Sequence, residues 1–211
     1  MNKLISVIDR LTYTAQKYGI RATFAKTSEM RIGELRQKLA ISPELVTWYS
    51  HAAPLDFKID WSVEWLNLSS PDNLMDYQLG YRYKVLKDGK TAESERWNPN
   101  WVVIGDRSSD PIIADVMKEE TPISMAVHGV GYWSPDIIAP NLAAFLDTLT
   151  VWLELTNTKF LGKIYNDDYN DDYDDDYDDD CTFNEELRDA LWDNLRKIME
   201  DEYITNFMKY V

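Results

Sequence analysis

Three short apolar runs that lie close together in the chain restrict what it can fold into. They are residues 102–104, 112–114 and 123–127, and each is bounded by Gly, Pro, Asp or Ser. Bounded apolar runs of this length are typical of buried strands. The connections between them hold seven and eight residues, fewer than the dozen or more that a crossover between parallel strands needs. We therefore expect antiparallel strands joined by hairpins.

Helical patterns occur on both sides of this predicted sheet. Apolar residues at three- and four-residue spacing predict a first helix that ends at Gly19, and Ser28 and Ser42 are placed to begin two more. Pro140 suits the first turn of a helix whose apolar stripe includes Leu142. The fold class that follows is α+β: a single domain over residues 1–211, with a twisted, largely antiparallel sheet covered by amino-terminal and carboxy-terminal helices.

Two stretches between these elements are less decided. Residues 56–68 alternate imperfectly and are rich in β-formers, which predicts one or two strands. Residues 74–86 fit helical spacing and strand alternation about equally, so helix and strand both stay open. Asp88 and Gly89 form a turn in either case.

Residues 165–180 are four tandem tetrapeptides, Y-N-D-D twice and Y-D-D-D twice. Their ten aspartates repel one another, and Asp is a poor helix former and depleted in strands. We expect a solvated loop inserted between the last two helices. Thr182 and Glu185 have capping-box spacing, with Asn184 as a competing cap, and would begin one packed terminal helix that extends past Phe207.

Three explanations of this acidic run stay open. It is a tolerated insertion, since loop entropy rises only slowly with length; or an anionic arm that enters a basic cleft of a partner; or a calcium site, although the run contains neither Gly nor Glu. As an arm, its predicted contact residues are Tyr165, Asp167, Asp168, Tyr169, Asp171, Asp172, Tyr173, Asp174, Asp175, Asp176, Tyr177, Asp178, Asp179 and Asp180. The exposed turn expected between the first two central strands adds Asp106 and Asp110.

The net charge of -15 bears on the class of partner. Phosphate surfaces would repel this chain, so nucleic acid and anionic membranes are poor partners and a basic protein is a better one. Asp9 and Arg10 interrupt what would be the apolar part of a signal peptide, every apolar run is too short to span a membrane, and Cys181 is the single cysteine. These features predict a cytoplasmic protein.

The first fifty residues differ from the rest of the chain in charge. They contain eight Lys and Arg against four Asp and Glu. This basic part either lies against acidic parts of the chain or stays available to an acidic partner, and we favour the first.

Catalysis would have to use the central polar residues. Asp106, Asp110 and Asp115 with His128 could form an acid/base set, but Asp and Ser between strands usually cap their own turns. The sequence contains no nucleophile elbow, phosphate loop, dinucleotide fingerprint or His/Cys metal spacing. We predict no enzyme activity, no cofactor and no metal. Three tryptophans, at positions 97, 101 and 133, either pack in the core, which we favour, or provide a binding anchor.

Residues 97–146 resemble the SUKH superfamily. The features that carry the resemblance are Trp97 and Trp101 before V-V-I-G, an Asp-rich turn into I-I-A-D, the strand after Thr121-Pro122, His128-Gly129, Ala139, Phe145 and Leu146. A weaker match covers residues 42–49. Many members have glycines in the turn where this chain has Ser108, Ser109, Asp110 and Pro111.

The resemblance implies a function by binding. Bacterial SUKH proteins are mostly immunity proteins that neutralise toxins used between competing cells, and fungal members include regulators of cell-wall synthesis. We therefore expect an immunity protein of a polymorphic toxin system. It would sequester a cognate basic toxin, and a nuclease is one candidate for that toxin. The alternatives are a general protein-binding adaptor and, less favoured, a small hydrolase or transferase that uses His128.

Overall fold

A computed structural model describes residues 3–62, 64–165 and 183–211. In this part of the chain the helices are α1 (Lys3–Lys17), α2 (Glu29–Lys38), α3 (Pro43–Ala52), α4 (Leu142–Thr158), α5 (Glu185–Leu195) and α6 (Asp201–Met208). The strands are β1 (Ala22–Ala25), β2 (Ala53–Trp61), β3 (Glu64–Leu68), β4 (Tyr83–Val85), β5 (Thr91–Glu93), β6 (Trp101–Arg107), β7 (Asp110–Asp115), β8 (Ile123–Met125) and β9 (Asp136–Ala139). A single 3-10 turn covers Asp76–Gln78.

The main sheet is a seven-stranded antiparallel meander. Its order is β1-β2-β3-β6-β7-β8-β9, and each strand pairs with its neighbours in the antiparallel sense. Strands β4 and β5 form a separate hairpin within the long connection from β3 to β6. The fold is α+β, and the three central strands are antiparallel and adjacent, as the sequence predicts.

Local capping fixes where several helices begin. The side chains of Ser28, Ser42, Asn141 and Asn184 each accept a hydrogen bond from a backbone N–H in the first turn of α2, α3, α4 and α5. These bonds satisfy amides that would otherwise have no partner. Asn184, the competing cap of the sequence analysis, is the N-cap of α5, and Pro140 precedes α4 instead of lying in its first turn.

The three central strands are buried on both faces. In β6, Val102 and Ile104 belong to the large core under the helices, whereas Val103 belongs to a smaller cluster on the other face. The same alternation holds in β7, where Ile112 faces the helices and Ile113 faces the opposite way. Burial of both faces explains why these strands read as continuous apolar runs rather than as alternating ones.

Aromatic rings fill the large core where helices α4 and α6 meet the sheet. The rings of Trp61 and Trp152 lie 4.6 Å apart, and the edge of Phe207 packs 5.2 Å from Trp61. Both indole N–H groups have acceptors, since Trp61 donates to the carbonyl of Tyr210 and Trp152 to that of Asp60. These bonds join β2 to the carboxy-terminal helices without leaving a buried donor unpaired.

The side-chain amide of Gln78 pairs with the backbone of β6. Gln78 is fully buried; its Nε2 donates to the Val103 carbonyl and its Oε1 accepts from the Val103 N–H. The β6–β7 register shifts between Val103 and Gly105, so the amide satisfies backbone groups beside an irregular part of the ladder. This contact attaches the long β3–β6 connection to the second face of the sheet.

The structure decides several points that the sequence leaves open. Residues 56–68 form two strands, β2 and β3, and residues 74–86 contain a 3-10 turn followed by strand β4. The prediction of one long terminal helix is wrong, because the helix is interrupted between α5 and α6. Arg196 forms two hydrogen bonds with Asp201 across this interruption. The acidic run therefore follows α4 and precedes α5, with α6 beyond it. Strand β9 was not anticipated.

The basic beginning of the chain lies against acidic residues, as favoured from the sequence. Arg10 on α1 forms ion pairs with Asp147 and Glu154 on α4 at 2.7 and 2.6 Å. Arg31 on α2 lies 2.9 Å from Asp72. Arg10 and Arg31, two of the eight basic side chains among the first fifty residues, are thus paired with carboxylates of later parts of the chain.

Gly105 allows β3 to approach β6, and its replacement is expected to disrupt that pairing. A Cβ at position 105 would lie 2.3 Å from the carbonyl oxygen of Asn67. We expect Gly105→Ala to reduce the free energy of unfolding by about 2 kcal/mol or more, because backbone must move. Urea unfolding measures the change.

Gly33 provides the matched control for this substitution. It lies within α2, and nothing is within 4 Å of the position its Cβ would take. Gly33→Ala should raise stability by about 0.5–1 kcal/mol, since alanine is the better helix former. Equal effects of the two substitutions would contradict the proposed role of the β3–β6 contact.

Candidate functional site

The turn between β6 and β7 holds both of the central aspartates predicted to contact a partner. Ser108 and Ser109 form its tip with φ values of 45° and 80°, a region in which glycine is at ease and other residues are strained. The carboxylate of Asp106 accepts a hydrogen bond from the Ser109 N–H at 3.1 Å. This turn therefore has the backbone geometry that glycines would suit, and Asp106 helps to hold it with serines instead.

The prediction of Asp110 as an exposed contact residue is wrong, because its carboxylate is buried. Asp110 is 5% exposed, and its Oδ1 lies 2.8 Å from the backbone N of His128 and 2.7 Å from His128 Nδ1. Arg107 Nη2 lies 3.7 Å from the other carboxylate oxygen. The carboxylate is thus used to attach the chain after β8 to the β6–β7 hairpin.

The Asp110–His128 pair has one further chemical property. In the neutral tautomer that donates Nδ1–H to this carboxylate, the lone pair of His128 Nε2 is available. The His128 side chain is 56% exposed, so a ligand or partner group can reach this ring. The pair is the arrangement on which the predicted hydrolase or transferase alternative would depend.

Arg107 connects this pair to the carboxy-terminal residues. Its Nε lies 2.8 Å from Glu64, and its Nη1 donates to the carbonyl of Tyr210. The Tyr210 hydroxyl in turn donates to the carbonyl of Met125 and lies 3.2 Å from Asp136. Strands β3, β6, β8 and β9 and the end of α6 therefore meet in one polar network beneath the turn, and sequence patterns gave no sign of it.

An aromatic cluster covers the second face of the sheet. Trp97 is buried over Val103 and Ile113, and half-buried rings surround it. The closest ring-to-ring distances are 5.3 Å to Trp133, 5.5 Å to Trp101 and 5.7 Å to Tyr81. The prediction of core packing is confirmed for Trp97, which is buried in a small separate cluster, whereas Trp101 and Trp133 are partly buried at its edge.

Residues 127–133, which we name the apolar loop, lie beside this cluster and expose several apolar side chains. Val127, Val130 and Tyr132 are exposed, so the predicted buried run 123–127 ends before Val127. This loop was not predicted from the sequence. Its signal was available: seven residues with two glycines and no Lys, Arg, Asp or Glu.

The acidic run lies outside the described residues, apart from Tyr165 at its start. Tyr165 forms an isolated antiparallel bridge with Phe183, and its hydroxyl donates to Ser62 at 3.2 Å. The described residues on either side of the run therefore lie next to each other. The predicted contacts at Asp167, Asp168, Tyr169, Asp171, Asp172, Tyr173, Asp174, Asp175, Asp176, Tyr177, Asp178, Asp179 and Asp180 fall on residues that are not described.

Helix α5 continues the acidic character after the run. Glu185, Glu186, Asp189 and Asp193 are exposed along it. Glu185 lies 3.7 Å from Arg188, whereas Glu186 and Asp189 have no ion-pair partner among the described residues. Among the described residues, the charges of Glu186 and Asp189 are therefore not neutralised by an ion pair.

A cavity of about 320 Å³ lies elsewhere, where helices α1, α3 and α4 begin. Its lining includes Lys3, Glu44, Glu120 and Asn141, but not His128, Asp106 or Asp110. Within the described ranges, no three His, Cys, Asp or Glu side chains are grouped as a metal site would require. Over the same ranges, no helix combines the length and apolarity needed to cross a membrane.

Comparisons with known proteins give no assignment. The chain matches none of the protein-family models against which it was scanned, and a search of curated proteins finds no match. Membership of the SUKH superfamily thus stays a prediction from the residues quoted above.

Replacing Asp110 is expected to act through stability. Asp110→Ala would leave the His128 N–H and Nδ1–H without their acceptor and Arg107 without a nearby charge, which should cost about 2 kcal/mol of unfolding free energy. Asp110→Asn should cost less, because its amide oxygen still accepts one bond. Denaturant unfolding measures both, with Asp76→Ala as an exposed control. An unchanged stability of Asp110→Ala would return this residue to the candidate contact surface.

The free energy of unfolding is expected to fall at high pH because of two tyrosines beside the β6–β7 turn. Burial, with the Asp106 carboxylate nearby, raises the pKa of Tyr77 and of Tyr81 from 10.0 to about 12. Between these values the unfolded chain loses the two protons while the folded chain keeps them, so stability falls as pH rises from 10 to 12. Urea unfolding between pH 8 and 12 should show a shallower decline for the Tyr77→Phe/Tyr81→Phe variant.

The exposed Tyr132 supplies the control for this pH dependence. Tyr132→Phe should leave the decline of the parent protein unchanged. If the double variant and the parent lost stability in parallel above pH 10, the hydroxyls of Tyr77 and Tyr81 would not be the cause.

Proposed function

We propose that this protein is an immunity protein that binds and neutralises a cognate, basic protein toxin inside the producing cell. The proposal begins from the resemblance of residues 97–146 to the SUKH superfamily. Those residues form β6 to β9 and the start of α4, which is the part of the fold that carries the aromatic cluster and the apolar loop. The residues that carry the resemblance therefore include the apolar loop and the three tryptophans of the aromatic cluster.

The observation that carries the proposal is the distribution of charge. The chain has a net charge of -15, and its basic amino-terminal residues Arg10 and Arg31 are paired with carboxylates. Glu186 and Asp189 on α5 form no ion pair among the described residues. A field of one sign speeds the encounter with a partner of the opposite sign and repels wrong partners. A basic toxin is the partner that this field favours.

Charge accounts for the encounter rather than for the lifetime of a complex. Exposed ion pairs contribute little to affinity, and most differences in affinity lie in the dissociation rate. Neutralisation of a toxin requires a long-lived complex, which in turn requires apolar groups that leave water on binding. In this proposal the acidic surface steers the toxin and an apolar surface retains it.

Co-expression with the product of the adjacent upstream gene tests the proposal. We expect the chain to restore growth of cells that express that toxin, and to co-purify with it as a stable complex. The association rate should fall at least about tenfold when salt is raised from low to high concentration, while the dissociation rate changes little. Stopped-flow mixing and growth assays give these measurements. Rescue without a complex would contradict inhibition by binding.

Charge variants separate steering from retention in the same assays. Glu186→Lys with Asp189→Lys should slow association more than Glu186→Gln with Asp189→Asn, because the first reverses the charge and the second removes it. Deletion of residues 166–180 should slow association further if the acidic run is an arm. If that deletion alters neither affinity nor its salt dependence, the run is a tolerated insertion.

A further inference from the structure

The apolar loop, residues 127–133, differs in composition from the rest of the surface. It has the sequence V-H-G-V-G-Y-W and contains no Lys, Arg, Asp or Glu, in a chain of which 28% of residues are charged. Val127 is 50% exposed, Val130 51% and Tyr132 66%. The centres of protein interfaces are depleted in charged residues and enriched in tyrosine and other aromatic residues. The loop has the composition of such a centre.

Three separate attachments hold this loop in place. The backbone N–H and ring of His128 bond to the buried Asp110 carboxylate, Arg96 donates to the Gly131 carbonyl at 3.0 Å, and Trp133 packs within the aromatic cluster. Within the loop, Gly129 and Gly131 adopt left-handed φ values of 79° and 85°, which change the direction of the chain. A loop fixed in this way loses little conformational entropy when it binds.

The attachments also explain why the apolar side chains remain in solvent. Each fixed point is a residue that precedes or follows an exposed one: His128 between Val127 and Gly129, and Gly131 and Trp133 on either side of Tyr132. Because the Gly131 carbonyl is bonded by Arg96 and Trp133 packs in the aromatic cluster, the backbone on both sides of Tyr132 is held. In this position its ring is 66% exposed.

We propose that the apolar loop is the surface that retains the toxin, with Tyr132 and Val130 as its principal contacts. This inference rests on the proposed function and specifies where the complex forms. Charge selects the occupant. A second copy of the chain would bring two molecules of net charge -15 together, whereas a basic protein meets the same surface with attraction. Depletion of charge in the loop then removes the cost of burying ionised groups.

Truncation of the loop residues tests the assignment. Against the upstream-gene toxin, Tyr132→Ala should weaken binding about tenfold or more, and Val130→Ala by a smaller factor, through faster dissociation. Tyr13→Ala and Val85→Ala are matched controls, since Tyr13 is 65% and Val85 63% exposed outside the loop. Their binding should be unchanged, and all four variants should keep the stability of the parent protein. Hydrogen exchange of residues 127–133 should slow in the complex.

The outcomes separate this inference from the proposed function. A parent chain that binds the toxin, together with a Tyr132→Ala/Val130→Ala variant of equal affinity, would overturn the inference and leave the immunity function standing. A parent chain that neither binds nor rescues would overturn both. Sedimentation that revealed self-association abolished by Tyr132→Ala would assign the loop to a second copy of the chain and would also overturn the inference.

Discussion

Strands β6 and β7 have apolar side chains on both faces, and each face must be covered. The helices cover one face, where Val102, Ile112 and Ile123 join the large core. On the other face, Val103 and Ile113 require a second cover, which the long β3–β6 connection and the apolar loop provide. The aromatic cluster, the anchored loop and the exposed position of Tyr132 follow from this need.

Covering the second face depends on polar contacts as much as on apolar ones. The side-chain amide of Gln78, in the long β3–β6 connection, forms hydrogen bonds with the Val103 backbone where the β6–β7 ladder is irregular. The Asp110 carboxylate performs the corresponding task for the apolar loop. Each buried polar group left without a partner would cost about 1–3 kcal/mol, so these two side chains lower the cost of covering the second face.

Charge and apolar surface are placed on different parts of the molecule. Arg10 and Arg31 form ion pairs with nearby carboxylates, whereas Glu186 and Asp189 on α5 have no ion-pair partner within the part of the chain that the structure describes. The apolar loop is uncharged. Such a division lets long-range attraction and short-range retention be adjusted independently, because the first depends on net field and the second on desolvated contact. An inhibitor that must find its target quickly and keep it has use for both.

The fold class could be predicted because it depends on local patterns. Runs bounded by turn formers located the central strands, and the spacing between them excluded parallel crossovers; Ser28 and Ser42 marked helix starts by the side-chain bonds they make to nearby amides. The candidate site was predicted only in part. The sequence indicated the β6–β7 turn, His128 and the aromatic residues at 97, 101 and 133, but neither the burial of Asp110 nor the exposure of the apolar loop.

The tertiary structure decided the features that depend on contacts between residues distant in the sequence. The break between α5 and α6 contains no proline or glycine, and a pair of bonds from Arg196 to Asp201 spans it. The Asp110–His128 pair and the network around Arg107 join residues far apart in the chain. Sequence alone determined composition, periodicity and caps, since these act over a few residues; which polar groups are buried and which apolar ones stay exposed depends on packing in three dimensions.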